Sequence, residues 1–229
     1  MPSVRGSFEI AAFIIGHVRP GGGRDDNNNN VNVALDVHGI LVNMAALLYV
    51  FPYSIAQSTA ILAGAQLGAD RPAEAVNVII LGVITVSLFG CLLSLGTYVL
   101  GDYWVALYSS DPSVSALFAT SLFAFCLYLV TDNVKCATVT ILRNTGQPGV
   151  TVVGNAVSCV LFILPMGWVV AVTWGHGLVG EWLVMCTGWL FCSIIYTVVL
   201  CRTDWTYQAL QAKRRNEFIS VSEEDDLTS

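Results

Sequence analysis

The chain has 229 residues, 55% of them hydrophobic and only 11% charged, with a mean hydropathy of +0.68 and a formal net charge of −6. A soluble globular domain carries about 25% charged residues, so this composition excludes a water-solvated fold and calls for lipid around long apolar runs. Most of the excess negative charge sits in Glu223, Glu224, Asp225 and Asp226; the remainder is nearly neutral, and with no basic stripe interleaved with aromatics it argues against a nucleic-acid partner.

In chain order, Phe8–Val18 is apolar but too short to span alone, and residues 1–18 are expected to hold a partial first span. Residues 19–32, which hold most of HVRPGGGRDDNNNN, lack the apolar residues a packed element needs and are expected to be a disordered Gly and Asn loop. Residues 33–201 are expected to form a five-span bundle: Val33–Gly64, Val76–Leu100, Val114–Leu142, Val150–Trp174 and Leu178–Cys201 each reach the roughly 20 apolar residues that cross a bilayer as a helix. The connections AQLGADRPAE, YSSDPSV, RNTGQPG and TWGHG are short and rich in Gly, Pro, Asp and Asn, as turns between antiparallel helices are. Asp111-Pro112 reads as a helix start, with Asp as cap and Pro as the first residue. Pro52 and Pro165 fall mid-span and free a backbone carbonyl each.

Arg71, Arg143, Arg202, Lys213, Arg214 and Arg215 lie on alternate connections and the tail, against Arg19 and Arg24 on the other side. The positive-inside rule then places the C-terminus in the cytoplasm. Residues 202–229 form a basic and then acidic tail, its WTYQALQAKRRNEF stretch suited to an anionic membrane surface. The seven cysteines fall in or beside apolar segments without a CxxC pair, as free thiols used as small hydrophobes do.

Charged residues inside spans face a bundle interior or a wet cavity, because lipid penalises them by about 2.5–3.5 kcal/mol on insertion scales. The candidates are Glu9, Asp132 and Lys135; Asp36 and Glu181 lie nearer span ends, where snorkelling to the interface accounts for them. Asp132 and Lys135 are three residues apart on one helix face. Two readings stay open: a self-neutralising pair that lets an awkward helix insert, or a titratable carboxylate in a transport cavity with Lys135 tuning it. Asn43, Gln57, Asn133 and Asn155 are further polar interior residues, and such amides are more often helix–helix contacts than substrate contacts.

Several stretches, in order, carry a resemblance. YVFPYSIAQSTAILAGAQLGADRPAEA resembles a span and loop with a Pro followed by an x-G-N-x-L-G-A-G-D pattern. ILRNTGQPGV resembles an L-R-G-x-G-x-Q segment, LPMGWVVAVTWGHGLVGEWL a P-x-G followed by G-x-x-G-x-W, and SFEIAAFII a span opening on W-W-x-F/Y-E. Together they resemble the multidrug and toxic compound extrusion (MATE) family, over nearly the whole chain. The resemblance implies an all-α, polytopic membrane protein of about six transmembrane helices, one lobe of a two-lobe transporter, matching spans seven to twelve. It implies a missing N-terminal lobe as partner, a small-molecule organic cation or xenobiotic as substrate, and H+ or Na+ as coupling ion with no cofactor. Glu9 matches the family's span-seven Glu and Asp132 the acid of span ten. Asn43 stands where some members have a second Glu, Gln66 where the loop has Asn, and Asn144 where L-R-G has its Gly; Lys135 is a departure. Tyr49, Tyr53, Phe51, Phe125 and Tyr128 are then candidates for cation–π walls, with Gln57 a further candidate in the cavity.

The function expected is that of a secondary antiporter, or its C-terminal half, in a plasma or acidic organelle membrane, with no catalytic and no metal-binding residues. A non-transporting fragment, and a polytopic receptor or signalling protein, are the alternatives. A membrane enzyme is disfavoured because catalysis would want clustered His, Asp or Glu at an interface, and His17, His38 and His176 are isolated from each other.

Overall fold

The computed structural model describes residues 24–214 and, among these, not the side chains of residues 24–31, 171 and 172. The expected partial first span, with Glu9, and the acidic end of the tail lie outside the described residues.

All regular structure among the described residues is helical. Helix α1 runs Arg24–Gly68, α2 Pro72–Val99, the short α3 Gly101–Tyr108 and α4 Pro112–Asn144. A continuous rod follows, made of α5 Pro148–Val157, a π-helical turn Ser158–Ile163, α6 Leu164–Gly167 and a second π-helical turn Trp168–Thr173. Helix α7 runs Gly177–Arg202, and a last helix, α8, covers 205–214. Five helices are long and apolar enough to cross a membrane, and they coincide with the five expected spans.

The termini follow local rules. Pro72, Pro112 and Pro148 each open a helix, where the missing N–H is harmless. Asp111 caps α4 as expected, its Oδ1 accepting from Ser113 N at 2.8 Å. Gly146, Gly175 and Gly177 have positive φ in the turns that reverse the chain. Around Pro165 the helical register is irregular, and the π-helical turns on either side of α6 absorb the freed backbone groups. One expectation is corrected: the helix begins at Arg24, inside the 19–32 stretch read as a loop. The acids Asp25 and Asp26 fall in its first turn, where the helix dipole favours them.

Helix α4 is the axis of the bundle. It packs on α1, α2, α3, α5 and α7, and its inner residues, among them Phe118, Phe125, Tyr128, Ile141 and Leu142, form the main core with Leu41, Met44 and Trp182. At 33 residues it is about 50 Å long, more than the roughly 30 Å hydrocarbon layer. Close approach between α2 and α4 depends on Gly90, where a Cβ would stand 2.5 Å from Asn133 Nδ2. Outward faces are apolar too, with Leu92, Leu95 and Leu161 exposed, as a lipid-facing surface requires. The tail is not simply a surface anchor: Ala209 of α8 is buried against Leu67 and Ala75 at the α1–α2 turn. Asp204 caps α8, accepting from the N–H groups of Thr206 and Tyr207.

Candidate functional site

The site is built on the inner half of α4, the helix most enclosed by its neighbours. Asp132 and Lys135 are both buried, at 7% and 6% exposure, and Lys135 Nζ donates to Asp132 Oδ1 at 2.9 Å. The i, i+3 spacing puts them on one helix face, and the surrounding helices rather than lipid supply their solvent. Taking two charges out of water is costly unless the geometry is good; here a direct hydrogen bond compensates each with the other.

The second contact to the ammonium comes from α7. Lys135 Nζ lies 3.6 Å from the centroid of the Trp189 ring, which is itself buried. An ammonium over an indole face is attracted by the ring quadrupole, and the attraction strengthens when the site is desolvated. The ring is held by local structure on both sides. One turn further on, Ser193 Oγ donates to Trp189 O at 2.8 Å and lies 3.4 Å from Thr131 O, so α7 lies against α4 beside Asp132. Next to the ring, Gly188 has no side chain, and the 158–163 segment packs into that space: a Cβ there would stand 2.5 Å from Ile163 Cγ1.

From α1, Tyr49 reaches the Cys136 thiol one helical turn from Asp132, packing on Cys136 and Ala137. Tyr128, one turn before Asp132, is buried within an aromatic cluster. There Trp182 meets Phe125 and Tyr128 edge-on, at 5.0 Å each, and His38 lies 5.6 Å away on the same indole. The result is a carboxylate and an ammonium in the bundle's interior, walled by an indole and two phenols from three helices.

The structure thus gathers Asp132, Lys135, Tyr49 and Tyr128 and leaves other candidates apart. Tyr53 stacks on Tyr49 at 5.6 Å but is 39% exposed, and Phe51 is exposed beside Phe89. Asn43 is exposed, and among the described residues nothing ties it to the pair. Gln57 is half-buried and faces Asn144 at the end of α4, Oε1 to Nδ2 at 3.5 Å. Asn155 is a helix–helix contact, its Oδ1 accepting from Tyr196 Oη at 3.1 Å.

One residue was misjudged from sequence and one was not singled out. The aromatic over the Lys135 ammonium is Trp189, which carried no expectation. Glu181 is not interfacial: it is 1% exposed, and its Oε2 has no hydrogen-bond partner among the described residues. The Gly175–Gly177 turn reverses the chain so tightly that Glu181, a turn into α7, folds onto α6, where a Cβ on Gly167 would stand 2.9 Å from Oε2. Trp189 had a signal: Trp182 and Trp189 are seven apart, and with Met185, Cys192 and Tyr196 they mark one buried face of α7.

Comparison with known proteins gives one answer. The MatE family model matches residues 32–169, more than half of the chain. "Probable multidrug resistance protein NorM" of Caulobacter vibrioides is 30% identical over 149 residues, 65% of this chain and 31% of its own length. "Protein DETOXIFICATION 53" of Arabidopsis thaliana is 24% identical over 94% of this chain and 42% of its own. "Multidrug and toxin extrusion protein 2" of Oryctolagus cuniculus is 26% identical over 91% and 33%. The fold matches a crystal structure of the eukaryotic MATE transporter AtDTX14 with a TM-score of 0.82, at 18% identity, over 91% of this chain and 44% of that one. The chain therefore spans less than half the length of the relatives it matches. By fold and by sequence, this multi-pass helical membrane protein belongs to the MatE family.

Proposed function

We propose that this chain is the second lobe of a secondary antiporter that exports organic cations or related xenobiotics in exchange for H+ or Na+, and that it works with a first lobe. The observation that carries the reading is Asp132: a carboxylate in the interior of the central helix, already paired with an ammonium. The match to a family whose relatives are named for multidrug resistance, detoxification and toxin extrusion supports the substrate class. A single desolvated carboxylate holds one counter-cation at a time, so arrival of a substrate cation and departure of the coupling ion become one exchange. Rocking of two lobes around such a midplane site then alternates access. The coupling ion is a co-substrate, and no resident cofactor is needed. Basic residues on the connections and tail support a cytoplasmic C-terminus, in a plasma or acidic organelle membrane.

The test is uptake of a fluorescent organic cation, driven by a pH or Na+ gradient, into vesicles holding this chain together with a first lobe. Asp132→Asn abolishes uptake while protein levels hold; normal uptake by that variant would sink the role. The second reading, a non-transporting lobe, is favoured by one feature: Lys135 already satisfies the acid. Export that emerges only on Lys135→Ala favours that reading.

A further inference from the structure

We propose that Asp132 and the face of Trp189 constitute a binding site for a primary ammonium, and that Lys135 occupies it in cis. The inference deepens the reading of Asp132 as a cation-handling acid, and concerns what the site recognises and what blocks it.

The pieces are those that recognise R–NH3+ wherever it occurs. A carboxylate oxygen sits 2.9 Å from the nitrogen and an indole face 3.6 Å from it, combining a charge-assisted hydrogen bond with a cation–π contact. The two elements come from different helices, α4 and α7, so the site is formed by the tertiary fold and not by the i, i+3 spacing alone. A self-neutralising pair that merely eased insertion would have no need of the indole. Trp189 is nevertheless buried and flanked by Gly188, and one turn on Ser193 lies against Thr131 of α4. No other charged side chain joins the pair in an ion pair among the described residues. Around it stand Tyr49 and Cys136, Tyr128, and the hydroxyls of Ser193 and Thr131.

Lys135 brings its ammonium on a tether that never leaves. A free cation competing for Asp132 meets an effective concentration of the lysine in the millimolar range or above. The lysine thus acts as a resident blocker, and it sets which free cations can enter: those that gain more from Asp132 and Trp189 than the tethered ammonium does.

Truncating Lys135 to alanine removes Cγ, Cδ, Cε and Nζ, the atoms of n-propylammonium. Lys135→Ala in lipid nanodiscs is therefore expected to gain a saturable rise in Tm of about 2–4 °C or more with n-propylammonium. Wild-type chain, and Lys135→Ala given the neutral isostere n-propanol, are expected to show none of it. Adding Trp189→Leu weakens apparent affinity about tenfold, and adding Asp132→Asn abolishes binding. Where Lys135→Ala is recovered only as aggregate, the yield of monodisperse protein prepared with n-propylammonium against n-propanol is the same readout. Equal effects of the two additives, or binding that survives Asp132→Asn, overturn the proposal. Binding is measured without transport, so rescue in a chain that moves no substrate leaves this inference standing and sinks the antiporter reading instead.

Discussion

Helix α4 and the rod 148–173 cross the same membrane under different conditions. In the most apolar window of α4, 50% of residues are buried inside the protein, whereas in the 148–170 span the figure is 17%. Helix α4 carries Asp132, Asn133 and Lys135; the rod carries no charged residue at all. Polar groups in a bilayer need partners that lipid does not supply, so the chain places its buried ion pair on the helix that neighbours surround most. The peripheral rod instead tolerates backbone irregularity, with two π-helical turns about Pro165. It is held by fit: Gly154 sits under Tyr196, Gly167 under Glu181, and Ile163 fills the space beside Gly188.

The sharpest way to break this contrast is to unbalance α4. Asp132→Leu leaves the Lys135 ammonium buried without its counter-charge and is expected to destabilise by about 3–5 kcal/mol. Asp132→Leu with Lys135→Met removes both charges and recovers most of the loss, because apolar side chains of similar volume replace a buried pair at little cost. Denaturant unfolding in nanodiscs measures both. A loss below about 1 kcal/mol for Asp132→Leu would mean that Lys135 escapes to water, and α4 would not be the insulated helix described here.

The rod is more sensitive to volume than to charge. Gly167→Ala forces a Cβ against the Glu181 carboxylate and is expected to cost about 1–3 kcal/mol. The same substitution in a Glu181→Ala background is expected to cost clearly less, since the two residues are in contact and couple. Additive effects in that double-mutant cycle would place the strain elsewhere on the rod.

The span boundaries were legible because apolar length is a bilayer requirement, and the Pro and Gly punctuation of the turns sharpened them. Asp132 and Lys135 were legible because a charge in an apolar run is rare. Which faces turn inward was not. In water, an apolar residue points to the core; in lipid, Leu92 and Leu161 are as comfortable outside as Leu41 and Leu142 are inside. Nothing therefore singled out Trp189, and Glu181 read as an interfacial acid, whereas α7 folds back on α6 and buries it. Proximity across helices, such as Trp189 to Lys135 over 54 positions, has no local sequence signature.

The smallest expected effect probes how the rod is tied to α7. Tyr196 is buried, and its Oη donates within reach of both Thr151 O at 3.2 Å and Asn155 Oδ1 at 3.1 Å. Interhelical hydrogen bonds in membranes average only about 0.6 kcal/mol, since the separated helices find other partners. Tyr196→Phe keeps the ring over Gly154 and removes only the hydroxyl, so a loss of about 0.6 kcal/mol is expected, whereas Tyr196→Ala removes the ring as well and costs several-fold more. Equal losses from the two substitutions would show that the hydroxyl, and not shape, holds the rod. In that case the difference between α4 and the rod would lie in which polar groups each uses, not in whether it uses them.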